Sequence, residues 1–259
     1  ERDDGVRFEE YSANQPLSVE LRNLSYQYDD GDAPVLKNLN LLIKSGEHVA
    51  ITGYSGAGKS TLMQVLSVGK RDFTGSLLFN GLPKRNLHLR SLREHIGDLS
   101  SQEEIFKGTI RENIDLGNEH ISLQRVLQVA EDVGLNEFIR DLPKGLDTEL
   151  LPGGKNIPRS VVTKILVARA IVGLPKLLAM EEPLGNLNFR DRLRIAQLLI
   201  DKKQPWTLVG VTSDPVLAAM CDRVIVLKAG EIVFDGTFDG VQKTEHYQWI
   251  FRAEINDEP

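Results

Sequence analysis

Apolar residues recur at every second position from Leu17 to Tyr28, with Leu17, Val19 and Leu21 followed by Leu24, Tyr26 and Tyr28. That spacing predicts a strand or a strand pair. Asp29-Asp30-Gly31-Asp32 reads as a turn, and alternation resumes from Val35 to Ile43. A continuous apolar run, Glu47 to Thr52, follows and ends at Gly53. A further strand is expected over Gly75–Gly81, and a short polar helix over Arg90–His95. From about residue 103 to 150 the pattern is mainly helical. Val126, Val129, Ala130 and Val133 recur at helical spacing, and Leu135–Ile139 forms a second short helix. Helices are then expected over Ser160–Val172, Phe189–Asp201 and Glu245–Ala253, and strands over Lys176–Met180, Trp206–Val211 and Arg223–Leu227. Glu231–Phe234 closes a hairpin over Ala229-Gly230. Helices alternating with apolar strands predict an α/β fold with a mainly parallel sheet covered on both faces. The early and late alternating strands predict a smaller antiparallel sheet.

The stretch Gly53-Tyr54-Ser55-Gly56-Ala57-Gly58-Lys59-Ser60-Thr61 lies between a predicted strand and a predicted helix. Glycines there admit backbone angles closed to other residues and let the main chain approach a ligand. Backbone N–H groups and the start of the helix favour an anion. Lys59 adds a full positive charge for β- and γ-phosphates, and the Ser60 hydroxyl is a hard oxygen ligand suited to Mg²⁺. Strand, glycine loop, Lys-Ser and helix in this order identify a phosphate loop that binds a nucleoside triphosphate with Mg²⁺.

Composition narrows the picture around that loop. The 259 residues are 41% hydrophobic and 26% charged, enough for a packed core and ordinary for a soluble protein. A net charge of −6 and a pI near 5.5 argue against a nucleic-acid-binding surface. One cysteine, Cys221, excludes an internal disulfide and fits a reducing compartment. It reads as a small buried residue. The longest apolar region, Ile165–Met180, is interrupted by Arg169, Pro175 and Lys176, so no segment spans a bilayer. The five histidines show no metal-ligand spacing. Residues 1–16 are polar and aperiodic and read as a linker, with the domain running from 17 to 259. Trp206 is expected in the core, and Tyr247 and Trp249 are expected to pack a C-terminal helix.

The order of motifs resembles the nucleotide-binding domain of an ATP-binding-cassette (ABC) transporter of the exporter type. The resemblance covers nearly the whole chain from about residue 17. It rests on Leu24–Tyr28, Val35–Asn40, the phosphate loop, Phe106–Ile114, Ala168-Arg169-Ala170, Glu182-Pro183, Asp222–Leu227 and Gly230–Val233. It implies a phosphate-loop NTPase core, an N-terminal antiparallel β-subdomain and a helical subdomain at about 103–165. It implies ATP and Mg²⁺ as cofactors, and a head-to-tail homo- or heterodimer with a second such domain. It further implies attachment to transmembrane domains at the cytoplasmic face of a membrane, with residues 1–16 as the link. Tyr28 matches the residue that stacks on adenine, and Gly53, Ser55, Gly56, Ala57, Gly58, Lys59, Ser60 and Thr61 the nucleotide-gripping loop. Glu182 matches the carboxylate that polarises the attacking water, and Lys59 supports catalysis beside it. Ser60, Gln102 and Glu181 are the implied metal positions.

The chain departs from that family in several places. Glu181 stands where an Asp is usual, one methylene longer beside a metal with a strict octahedron. Leu151-Pro152-Gly153-Gly154-Lys155 is a tempting match to the Leu-Ser-Gly-Gly-Gln signature. Gap-free counting from both sides instead places the signature at Ile157-Pro158-Arg159-Ser160-Val161. Pro158 has no N–H to donate, and Arg159 and Ser160 replace glycines that allow close approach. The family's γ-phosphate histidine falls on Ser213. The glutamine position falls on Ser101, with Gln102 one residue on, and a slip of the loop would restore Gln102. The loop after Glu182 reads Gly185-Asn186-Leu187-Asn188. These residues point to an exporter ATP-binding domain with intact binding and slow or partner-dependent hydrolysis. The alternative is a regulatory or dimerisation module with no useful ATPase activity. A soluble cassette protein of translation or repair would carry a second cassette or long helical insertions, and neither is present.

Overall fold

The computed structural model describes residues 5–8, 15–28, 33–69, 72–99 and 104–251. In chain order the elements are β1 (Val19–Tyr26), β2 (Leu36–Ile43), β3 (His48–Gly53), α1 (Lys59–Leu66), β4 (Thr74–Phe79), β5 (Leu82–Pro83), α2 (Leu89–Glu94) and β6 (Ile96–Leu99). Then follow β7 (Gly108–Thr109), α3 (Ile110–Asp115), α4 (Leu123–Asp132), α5 (Asn136–Arg140), β8 (Glu149–Leu150), α6 (Arg159–Val172) and β9 (Leu177–Glu181). The chain closes with α7 (Phe189–Leu199), β10 (Thr207–Val211), α8 (Pro215–Met220), β11 (Arg223–Lys228), β12 (Glu231–Gly236), α9 (Phe238–Val241) and α10 (Glu245–Ile250).

The central sheet has the order β12-β11-β3-β10-β9-β6. All its pairings are parallel except β11 with β12. Alternate residues of each inner strand enter different cores. Leu178, Met180, Leu208, Val224 and Val226 pack on the side of α3 to α6. Leu177, Ala179, Val209, Ile225 and Leu227 pack on the side of α1 and the small sheet. Burial on both faces explains why these strands read as unbroken apolar runs rather than alternating ones. The small sheet, β2-β1-β4-β5, is antiparallel and faces water on one side, hence its alternation. The mixed α/β architecture agrees with the expectation from the pattern. The hairpin strand β12 joins the central sheet rather than the small one.

Two elements of the core were hidden in the sequence. Edge strand β6 is four residues long and includes Gly97 and Asp98, so no apolar run marks it. A Cβ at Gly97 would lie 2.2 Å from the Ala170 carbonyl oxygen, so glycine lets α6 pack against this strand. The six-residue α8 starts at Pro215 and is capped by Asp214, which accepts from the Val216 N–H at 2.7 Å. Within the segment 5–8, Phe8 is 1% exposed. Its N–H donates to Ser91 Oγ at 2.8 Å, and its ring lies 4.6 Å from that of His95. Trp206 is buried, as expected, with Nε1 donating to the Leu199 carbonyl at 2.9 Å. Cys221 is buried too, and burial pushes its thiol up to about 12. Tyr247 packs against Phe238 and Phe251, whereas Trp249 is 71% exposed and does not pack as expected. Among the described residues, no helix is long and apolar enough to cross a membrane.

A buried amide ties α3 to α6 and to the segment before α3. Asn113 is fully buried; its Oδ1 accepts from the Phe106 N–H at 3.1 Å and from Arg169 Nη2 at 3.0 Å. Its Nδ2 donates to the carbonyls of Phe106 and Thr109. Arg169 Nε donates to the Asn113 carbonyl at 2.7 Å, and the guanidinium lies 5.5 Å from the Phe106 ring. Truncating Asn113 strands buried donors and acceptors, each costing roughly 1–3 kcal/mol. Asn113→Ala is therefore expected to lower unfolding free energy by about 3 kcal/mol in urea denaturation, without changing the slope of the transition.

Candidate functional site

β3 ends at Gly53 because the chain there must leave the sheet past β11. Gly53 is paired with Leu227 and takes φ +147°. A Cβ at that position would lie 2.1 Å from the Leu227 carbonyl oxygen, so only glycine fits. The Tyr54 N–H donates to that same carbonyl at 3.3 Å. The turn closes with the Ala57 N–H on the Tyr54 carbonyl at 3.2 Å. Gly58, at φ +93°, caps α1, and a Cβ there would lie 2.9 Å from the Val35 carbonyl oxygen. The first bond within α1 runs from the Leu62 N–H to the Gly58 carbonyl at 2.9 Å. The N–H groups before it have no partner inside the helix and, with the helix dipole, favour negative charge. Ser55, Gly56 and Ser60 are exposed at the mouth, while Ala57 and Thr61 are buried beneath it.

Lys59 folds back over this loop. Its Nζ donates to the carbonyls of Gly53 at 2.8 Å and Tyr54 at 2.9 Å. Burial lowers the pKa of Lys59 below the usual lysine value, and the charges of Glu182 and Glu181 partly restore it. The Ser60 hydroxyl donates to Glu181 Oε1. Glu181 ends β9, beside Val211 of β10, and Glu182 follows with φ +46°. A non-glycine residue in that region is strained, which marks functional positions more often than others. The Glu182 N–H donates to the Val211 carbonyl at 2.8 Å, and Oε1 accepts from the Ser213 N–H at 2.9 Å and the Ser213 hydroxyl at 3.1 Å. Lys59, Ser60, Glu181 and Glu182 thus meet at the carboxyl ends of β3 and β9, where ligands of open α/β sheets bind.

Tyr28 is 40% exposed beside the loop, with its hydroxyl 3.1 Å from Thr61 Oγ1 and its ring edge-on to Tyr26 at 5.0 Å. The structure places Tyr28 beside the loop through this hydroxyl contact. Gln102 and Ser101 lie outside the described residues. For Mg²⁺, Ser60 and Glu181 supply hard oxygen donors already in mutual contact, which fits that ion's preference. Ile157–Val161 forms the start of α6, with Pro158 as the N-cap, no side-chain cap and an exposed Arg159. Gly153 and Gly154 sit in a separate turn before it, both at positive φ. Thr212, Asp214 and Arg192, which the sequence did not single out, adjoin this group. The pairing of β9 with β10 brings Thr212 Oγ1 to 3.4 Å from Glu182 Oε2, the Asp214 N–H donates to Thr212 Oγ1, and Arg192 of α7 pairs with Asp214.

A family model described as "ABC transporter" matches residues 36–185. Similar proteins include the ATP-dependent lipid A-core flippase of Syntrophus aciditrophicus strain SB, 30% identical over 96% of this chain and 41% of that protein. An uncharacterized ABC transporter ATP-binding protein of Bacillus subtilis strain 168 is 32% identical over 95% of this chain and 41% of that protein. Among solved structures, a bacterial Atm1-family ABC exporter with ATP bound superposes with a TM-score of 0.85 at 28% identity, over 95% of this chain and 42% of that one. The chain spans about two fifths of the length of the curated relatives it matches.

The close approach at residue 53 is directly testable. Gly53→Ala forces β3 from β11 or distorts the loop, and a loss of at least about 2 kcal/mol is expected in chemical unfolding. Gly56, around which a Cβ meets nothing within 4 Å, is expected to tolerate alanine better, limited to the strain of its φ of +71°.

Proposed function

The chain belongs to the ABC transporter family, and from that membership we propose that it is the ATP-binding domain of a membrane exporter, coupling ATP binding to movement of transmembrane helices. One observation carries this reading: Lys59, Ser60, Glu181 and Glu182 converge on an intact phosphate loop. Triphosphate lies along Gly53–Thr61, against loop N–H groups and the start of α1. Lys59 exchanges its two loop carbonyls for β- and γ-phosphate oxygens, and Tyr28 stacks on adenine. Ser60 and Glu181, with Gln102 as the third implied position, would hold Mg²⁺, which when bound neutralises phosphate charge. Glu182 orients water for in-line attack on the γ-phosphate, and slow turnover follows from the departures at Glu181 and Ser213.

The partner is a second cassette arranged head to tail, and it is a different chain. A γ-phosphate held across such an interface needs backbone N–H groups brought close by glycine. This chain offers Pro158, Arg159 and Ser160 there. A partner with an intact signature completes the site on Lys59. The domain works at the cytoplasmic face of the membrane, beside its transmembrane domains.

Equilibrium binding of Mg-ATP to the purified chain tests the core of this reading. Lys59→Ala removes charge-assisted bonds worth about 1.5–3 kcal/mol, so affinity is expected to fall roughly 10- to 100-fold while the far-ultraviolet circular dichroism is unchanged. Unaltered affinity would overturn the assignment of the loop. Intact binding with no phosphate release even beside a cassette that carries an intact signature, and no effect of Glu182→Gln, would instead identify a regulatory module.

A further inference from the structure

Ser213 lies in the turn between β10 and α8, directly after Thr212. Ser213 gives two hydrogen bonds to one oxygen, Oε1 of Glu182, from its N–H at 2.9 Å and its hydroxyl at 3.1 Å. The other oxygen, Oε2, is 3.4 Å from Thr212 Oγ1. Thr212 is buried, and its own hydroxyl accepts from the Asp214 N–H at 2.9 Å, which leaves the hydroxyl proton to point at Glu182. The Thr212 N–H is fixed to the Ile51 carbonyl at 3.0 Å. The turn is clamped from its far side as well. Asp214 is 7% exposed, caps α8, and pairs with Arg192 Nη2 at 2.5 Å. Arg192 stands in the first turn of α7, which Asn188 opens by accepting from the Asp191 N–H at 2.9 Å.

We propose that Ser213 is a positioning residue for the hydrolytic step: it pins Oε1 of Glu182 so that Oε2 faces the attacking water, and the Arg192–Asp214 pair holds the turn that carries it. The proposal rests on the reading of Glu182 as the residue that orients that water. A glutamate has three side-chain torsions, and two donors on one oxygen remove most of that freedom before substrate arrives, which lowers the barrier through orientation. The clamp also joins α7, and the Gly185–Asn188 stretch before it, to the carboxylate. The two then move as one unit.

The test takes the chain carrying Pro158→Ser, Arg159→Gly and Ser160→Gly, which closes the site on its own copy, and compares its steady-state ATP turnover with that of the same chain bearing Ser213→Ala, Ser213→Thr, Glu182→Gln or the Ser213→Ala/Glu182→Gln pair. Ser213→Ala is expected to lower kcat about tenfold, equivalent to about 1.4 kcal/mol, with KM changed less than about twofold. Ser213→Thr recovers most of the rate, and Ser213→Ala costs nothing further once Glu182 is glutamine. Full kcat in Ser213→Ala, alongside loss in Glu182→Gln, would overturn the proposal and leave Glu182 in its role. Full turnover in Glu182→Gln would overturn the reading of Glu182, and the proposal with it.

Discussion

A carbonyl oxygen of β11 occupies the space where residue 53 would otherwise carry a side chain. That contact, 2.1 Å from where a Cβ at Gly53 would lie, lets β3 stay paired to its last residue and then turn away sharply. The turn places the start of α1 across the carboxyl end of the sheet. There the first N–H groups of the helix, the Lys59 ammonium, the Glu181 carboxylate at the end of β9 and the Glu182 carboxylate after it face one volume. A side chain at 53 would separate β3 from β11 and move the loop away from Glu181. The geometry of the site follows from this close approach, since Lys59 and Ser60 are carried on the helix that the turn sets in place.

Charge is arranged around that volume in two groups. The loop side is cationic, through Lys59 and the helix terminus. The β9 side is anionic, through Glu181 and Glu182, which raise the pKa of Lys59 against the lowering caused by burial. Lys59 donates to loop carbonyls and Ser60 donates to Glu181, so the loop side already engages the β9 side. Strain at Glu182, with φ +46°, is held by the backbone bond to Val211 and the side-chain bonds to Ser213. The phosphate loop and the 212–214 turn are separate parts of the structure, the second being the one that holds the Glu182 carboxylate.

Much of this was legible from residue order. The inner strands show as apolar runs because both of their faces are buried, and the phosphate loop shows because glycine spacing and Lys-Ser reflect steric and electrostatic needs of the turn itself. What escaped notice was set by neighbours distant in sequence. Strand β6 is short and contains Gly97 because α6 leaves no room for a side chain, and no local pattern records that. Phe8 lies in a polar stretch and is buried only because Ser91 and His95 receive it. Trp249 keeps the helical spacing of a packing residue yet faces solvent. Ser213 was identified by counting as a replaced position, but its partner, Glu182, follows from the parallel register of β9 and β10, which one-dimensional spacing does not contain.

The central claim is that this chain grips ATP and lacks the surface that would close a site on its own copy. Sedimentation equilibrium of the Glu182→Gln chain in saturating Mg-ATP tests it most directly, beside the same chain carrying Pro158→Ser, Arg159→Gly and Ser160→Gly. The account predicts an ATP-loaded monomer for the first and an ATP-dependent dimer for the second. A dimer of equal stability formed by the chain with its own 157–161 segment would contradict it.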